Sequence, residues 1–271
     1  MNPIDAVFQR LRERGRKAFL PFLTAGDPDV DGTVRLGRAL AGAGANLLEL
    51  GFPYSDPIAD GPVIQASYTR ALSRGLKLDD IFACARGLAD APELRETALV
   101  AMTSYSLIHR RGAEAFVEQA RQSGFAGAIV PDLPFDESAA LEAVAMARDF
   151  KLIQLVTPTT PRERAAAIAR RSTGFLYCVS VAGITGERDR LPDELLEQLT
   201  WLRTQTALPL CVGFGVGKPE HVRMLRGVAD GIIVGSALVR RLEQAATKPF
   251  DAIVAEVTEL ARSLVEALNE G

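Results

Sequence analysis

The feature that most constrains this chain is a short apolar run that recurs eight times, at 18–24, 46–51, 97–102, 127–131, 152–157, 175–180, 208–213 and 230–235. Each run is rich in Leu, Val, Ile or Phe and largely lacks polar alternation. That is the pattern of parallel strands buried on both faces. Amphipathic stretches lie between the runs. Residues 112–123 put Ala113, Phe116, Val117 and Ala120 on one stripe, and residues 136–148 do the same with Leu141, Val144 and Ala145. Such stripes cover a sheet face. The alternation implies βα units with right-handed crossovers. About eight units in about 250 residues fit an α/β fold of the TIM (β/α)8 barrel type, with a doubly wound open sheet as the alternative.

Two further helices are expected beyond the repeat. Ile4, Val7, Phe8 and Leu11 form an amphipathic stripe before the first strand, placed to plug the N-terminal mouth. Phe250, Ile253, Val257, Leu260, Leu264 and Leu268 form a long closing helix. No linker, low-complexity segment or composition shift divides the chain, so a single barrel domain over 1–271 is expected.

Composition narrows the function. With 48% hydrophobic and 24% charged residues the chain has no disorder signature. A net charge of -3 leaves no basic footprint for nucleic acid. No apolar stretch reaches the roughly 20 residues of a membrane helix, and Met1–Asp5 does not read as a signal peptide. A cytoplasmic protein without a membrane partner is expected. Cys84, Cys178 and Cys211 are odd in number and scattered, which argues against a disulfide framework. Cys178 and Cys211 lie in strand-like runs and read as buried thiols. No Cys or His pair has zinc spacing, so no metal is expected. His109 and His221 are assigned to surface or loop positions.

In a barrel the chemistry sits at the C-terminal ends of the strands. Glu49 interrupts the second run. Side chains alternate along a strand, so Leu47, Glu49 and Gly51 share one face and point into the barrel, while Leu48 and Leu50 pack under helices. A buried carboxyl is raised in pKa unless it is paired, and can then exchange protons near neutrality. The competing reading is a structural Glu bonded to Arg or Lys. The loop 52–62 that follows carries Pro53, Pro57, Pro62, Asp56 and Asp60. Its prolines restrict it, as suits a loop that holds groups over a site. A plain connection with Asp56 and Asp60 as helix caps fits equally well.

Later strand ends are glycine-rich: Gly183-Ile184-Thr185-Gly186, Gly213-Phe214-Gly215-Val216-Gly217 and Gly235-Ser236-Ala237. Barrels often bind phosphate at the loops after the last two strands, where glycine lets backbone N–H groups approach an anion. A phosphate-bearing small molecule is therefore expected, with tight βα turns as the alternative. Gly213–Gly217 is no dinucleotide fingerprint and Gly217-Lys218-Pro219 is no P-loop, so neither NAD nor ATP is indicated. Lys151 starts its strand-like run instead of ending it. A Schiff-base aldolase is disfavoured.

The stretch from Leu48-Glu49-Leu50-Gly51 through Pro53-Tyr54-Ser55-Asp56-Pro57-Ile58-Ala59-Asp60-Gly61-Pro62 to Gln65 resembles the signature of the tryptophan synthase alpha chain family. Pro21-Phe22-Leu23-Thr24-Ala25-Gly26-Asp27-Pro28, Pro131-Asp132-Leu133-Pro134, Val179-Ser180, Gly183–Gly186 and Gly213–Gly215 match it too, so the resemblance runs over essentially the whole chain. It implies cleavage of indole-3-glycerol phosphate to indole and glyceraldehyde 3-phosphate, a retro-aldol reaction. By resemblance, Glu49 is the general acid–base, Asp60 the partner of the indole N–H, and Tyr177 a residue that positions Glu49 and substrate. Phe22 and Phe214 would line the indole pocket. Gly186, Gly215, Gly235 and Ser236 would hold the phosphate. Thr185 lies on what resembles a mobile lid, Ala182 to Leu191. The resemblance also implies no cofactor in this chain, with pyridoxal phosphate in a beta subunit that receives the indole. The assembly it implies is an α2β2 tetramer, with the loop around Pro53 to Asp60 at the contact.

Phe52 and Tyr54 stand where Ile and Phe are common in the family, which are mild departures. Ser104-Tyr105-Ser106-Leu107 replaces a frequent Tyr-Tyr-Asn-Pro, altering a loop near the site and the subunit contact. A stand-alone lyase shares the same residues and would be separated by adding a beta subunit. A barrel acting only as a docking scaffold has no use for Glu49 and Asp60. A sugar-phosphate isomerase is disfavoured by the proline-rich loop.

Overall fold

The computed structural model describes residues 1–58, 60–180, 193–213 and 215–270. Eight strands appear in the order expected: β1 (Ala18–Thr24), β2 (Leu47–Gly51), β3 (Ala98–Met102), β4 (Phe125–Ile129), β5 (Lys151–Val156), β6 (Leu176–Val179), β7 (Leu210–Gly213) and β8 (Gly231–Val234). All pair in parallel with their sequence neighbours, and β1 pairs with β8. The sheet is a closed barrel, which excludes the doubly wound alternative. Seven strands are buried along their whole length. That burial explains why their sequences read as unbroken apolar runs. The fourth strand starts two residues before its expected position, because Phe125 and Ala126 are also buried and Phe125 pairs with Leu99, with Ala126 at a shift of register.

Strand alternation sorts side chains into two cores. Leu20, Phe22, Leu47, Val100, Ile153, Tyr177 and Cys211 fill the bore. Leu23, Leu48, Leu50, Leu152 and Val212 pack outward against helices. Glu49 therefore points inward, as its spacing predicts.

The helix Pro3–Glu13 plugs the N-terminal mouth. Ile4, Val7, Phe8 and Leu11 join the bore cluster, and the Phe8 and Phe175 rings meet at 5.9 Å. Asn2 fixes this plug. Its side-chain oxygen accepts from the Ile4 N–H at 2.9 Å, and its amide donates to the carbonyls of Ala126 and Asp149. The helix Phe250–Asn269 packs against helices Val30–Gly42 and Pro219–Leu225, so it lies in the outer ring between the first and last βα units.

Two further expectations change. The helix over 136–148 is a 3-10 turn, Phe135–Glu137, followed by Ala139–Met146; the Ser138 hydroxyl bonds the Phe135 carbonyl at the break. His221 is buried on the helix Pro219–Leu225, because that seven-residue helix turns it inward with Val222 and Leu225. His109 is exposed as expected. All three cysteines are free and buried. Among the described residues no helix is long and apolar enough to cross a membrane, and no cluster of three or more His, Cys, Asp or Glu is placed to hold a metal.

Candidate active site

A cleft of about 600 Å³, counting its mouth, opens at the C-terminal ends of the strands. Of the expected residues, Glu49, Asp60, Tyr177, Phe22, Gly215, Gly235 and Ser236 all line it. Thr185, Gly186, Phe214 and the segment Ala182 to Leu191 lie outside the described residues.

Glu49 is only 2% exposed, and its Oε2 has no hydrogen-bond partner. Among the described residues no Arg or Lys bonds it. Burial first, and the nearby Asp60 second, push its pKa up to about 8. Phe22 sits opposite Glu49 in the β1–β2 register, with its ring over Gly51. A Cβ on Gly51 would lie 2.4 Å from the Phe22 ring, so only glycine leaves that ring in place. The cleft floor thus sets an aromatic face beside a protonatable carboxyl.

Asp60 is buried on the loop after β2. Gln65 ties this loop to the helix Pro62–Ser73, donating to the carbonyls of Pro57 at 3.1 Å and Asp60 at 2.9 Å. Neither Asp56 nor Asp60 caps that helix, whose N-cap is Gly61 without a side-chain bond. Asp56 is exposed, so of the two loop carboxylates only Asp60 faces the cleft. Burial and the charge of Asp132 raise the Asp60 pKa to about 6, and the nearby Tyr54 hydroxyl opposes them.

Tyr177 comes from β6, and its hydroxyl occupies space that a Cβ on Gly213 would fill at 2.4 Å. Burial and the two carboxyls keep that phenol protonated. Across the cleft, Gly215 has φ +76°, and a Cβ on Gly217 would come within 2.9 Å of the Ala237 Cβ. The loop after β7 therefore runs close to the start of the helix Ser236–Leu242.

Gly61, Ile64, Met102, Val216, Ile233 and Ala237 also line the cleft and had been given no individual role. Tyr54, Tyr68 and Asp132 were also missed as parts of the site. The Tyr54 and Tyr68 rings meet at 5.7 Å, and both phenols feel the charge of Asp60. A hydroxyl at position 54 was the one visible clue, since it adds a donor next to a carboxylate loop.

Two inward carboxyls of different proton affinity, an aromatic wall and glycine-rich ends on the last strands define an acid–base lyase built on a TIM barrel. The tryptophan synthase alpha chain family model matches residues 8–269. A tryptophan synthase alpha chain from Rhodopirellula baltica is 48% identical, with 99% of each chain covered, and one from Rippkaea orientalis is 46% identical over 90% of this chain and 91% of that one. The crystal structure of tryptophan synthase subunit alpha from Legionella pneumophila superposes with a TM-score of 0.90 at 35% identity, with both chains fully covered. A Mycobacterium tuberculosis tryptophan synthase structure gives 0.89 at 31% identity, covering 99% of this chain and 98% of that one. The chain belongs to the tryptophan synthase alpha chain family. Its reaction is the lyase half-reaction of that subunit, cleavage of indole-3-glycerol phosphate, and membership implies a beta-subunit partner. The family carries no cofactor of its own.

Proposed function

We propose that Glu49 and Asp60 divide the work of the cleavage. Glu49 starts protonated and gives its proton to the indole ring carbon that bears the side chain. Positive charge develops on the ring nitrogen, and the Asp60 carboxylate at the N–H stabilises it. Glu49, now a carboxylate, takes the proton of the side-chain hydroxyl. The carbon–carbon bond breaks, its electrons return to the ring, and indole and glyceraldehyde 3-phosphate are left. The net change is one proton moved from oxygen to carbon, so Glu49 is regenerated.

The observation that carries this reading is the separation of the two carboxyls: about 8 for Glu49 and about 6 for Asp60, in one cleft. Near pH 7 one is mostly acid and the other mostly base, which is the split that acid–base chemistry needs. Tyr177 positions Glu49 and substrate, Phe22 and Phe214 flank the indole, and Gly186, Gly215, Gly235 and Ser236 hold the phosphate. Thr185 belongs to a lid whose closure orients Asp60. The whole chain 1–271 acts as one domain in the cytoplasm. It forms an α2β2 tetramer through the loop around Pro53 to Asp60, and a beta subunit bearing pyridoxal phosphate condenses the released indole with L-serine.

The test is indole release from indole-3-glycerol phosphate by wild type and Glu49→Gln, each with and without a beta subunit. Slow release by wild type, faster with the beta subunit and absent in Glu49→Gln, supports the assignment. Release that persists in Glu49→Gln removes Glu49 from the chemistry, and brisk release unaffected by the beta subunit points to a stand-alone lyase.

A further inference from the structure

Asp60 is fixed through its main chain. Its N–H donates to the Pro57 carbonyl at 3.1 Å, which closes a turn. The Gln65 side-chain amide then donates twice, to that same Pro57 carbonyl at 3.1 Å and to the Asp60 carbonyl at 2.9 Å. Both N–H groups of the amide are used. Gln65 lies one turn into the helix Pro62–Ser73, and its own N–H reaches the Gly61 carbonyl at 3.0 Å. Gly61 offers that helix no side-chain cap, so the Gln65 amide joins the loop to the helix. The helix in turn is tied to the barrel. The Ser67 and Thr24 hydroxyls lie 2.6 Å apart. Arg70 donates from Nε at 3.0 Å and from Nη2 at 2.7 Å to the two carboxylate oxygens of the buried Asp27. Such a two-bond fork fixes orientation as well as distance. Both anchors end on β1 or just after it, and β1 carries Phe22, which lines the same cleft as Asp60.

We propose that Gln65 is a positioning residue for this reaction: its amide, anchored through the helix Pro62–Ser73 to β1, holds the main chain of Asp60 so that the carboxylate meets the indole N–H. This rests on the role given to Asp60 above. Gln65 is exposed and fills no core, so its two hydrogen bonds are what it contributes. It does not line the cleft and acts through Asp60. An aspartate has a short side chain, and where its backbone sits decides where its carboxylate reaches. A charge that stabilises a transition state must be aimed before the reaction begins. A misplacement of about 1 Å can cost up to about 10²-fold in rate.

Gln65→Met keeps the length of the side chain and removes both donors. Thermal unfolding should match wild type, because the side chain is exposed. With a beta subunit present, kcat for indole release should fall about five- to ten-fold and KM should change by less than about two-fold, since charge on the ring nitrogen develops only in the transition state. The same change is made in an Asp60→Asn background. There the carboxylate is gone, and Gln65→Met should cost no more than about two-fold further. A second readout is amide exchange followed by NMR. The Asp60 N–H should exchange about ten-fold faster in Gln65→Met, with the helix amides of Ser67 and Arg70 unchanged. Equal losses of kcat in the two backgrounds, or an Asp60 amide that exchanges at the wild-type rate, overturn the proposal. The exchange also decides if Asp60→Asn is too slow to time. If Asp60→Asn releases indole as fast as wild type, the role given to Asp60 fails and Gln65 has no carboxylate to aim; equal losses beside a slow Asp60→Asn overturn the role of Gln65 alone.

Discussion

The two mouths of this barrel are built from the same eight strands and have opposite characters. At the N-terminal mouth Asn2 and Asp5 of the plug are partnered. Asn2 caps its helix and bonds two carbonyls, and the Lys151 ammonium meets Asp5 at 2.7 Å. Phe8 and its neighbours fill the rest with apolar contact. At the C-terminal mouth, Glu49 is buried with an unpartnered oxygen and has a second carboxyl beside it. Glycines at 51 and 213 make room for Phe22 and Tyr177. One end is arranged for stability. The other holds unfavourable burial in place because the reaction uses it.

The sharpest way to break this comparison is at Glu49. Glu49→Gln should lower the rate of indole release by about 10²- to 10⁴-fold, the usual weight of a general acid–base. Thermal stability at pH 8 should hold or rise, since the amide carries no charge to bury. A large fall in stability with activity retained would reverse the roles of the two mouths. The matching cut at the other end is Phe8→Ala. It should cost about 3–5 kcal/mol in urea unfolding, by lost burial and a cavity against Phe175. Turnover per folded molecule should stay near wild type.

A pH series sharpens the same contrast. Glu49 in the unfolded chain has its ordinary pKa of 4.5, against about 8 when folded. Between these values the folded state holds a proton that the unfolded state has lost. Stability therefore falls as pH rises through that window, by at most about 1.4 kcal/mol per unit from this group. Asp60 adds a slope of the same sign between 3.8 and about 6. Urea midpoints from pH 5 to 8.5 should fall for wild type and for Phe8→Ala alike. Glu49→Gln should flatten the part above pH 6. An equal slope in all three would show that the burial of Glu49 is compensated.

How far the sequence carried this picture depends on whether the signal was local. The first strand was read with its observed bounds, and Glu49 was found because one charged residue in a two-sided apolar run has a defined direction. The plug helix was legible for the same reason: four apolar residues at helical spacing need a face to cover. Tyr54 was not. It borders a groove with Asp132, which lies far along the chain and reaches that groove only when the barrel closes. Position 54 alone showed a small change of residue. The break at Ser138 escaped because a 3-10 turn followed by a helix keeps nearly the same apolar spacing as one helix.

His221 tests whether an unpartnered polar atom in this barrel always signals function. The seven residues of its helix are too few for a readable apolar stripe, which is why a surface position was expected. It is 1% exposed, and neither ring nitrogen has a hydrogen-bond partner among the described residues. Glu49 shares that condition, yet Glu49 lines the cleft and His221 does not. A buried, unpaired donor or acceptor costs about 1–3 kcal/mol. His221→Leu should therefore raise stability by about 1 kcal/mol, with indole release unchanged, because leucine suits the apolar side of the helix formed with Val222 and Leu225. Urea unfolding and the release assay on the same preparation decide it. A gain in stability with full activity confines the functional strain to the C-terminal cleft. A loss of activity would mean that the ring of helices takes part in the chemistry, and the division between the two mouths would have to be redrawn to include it.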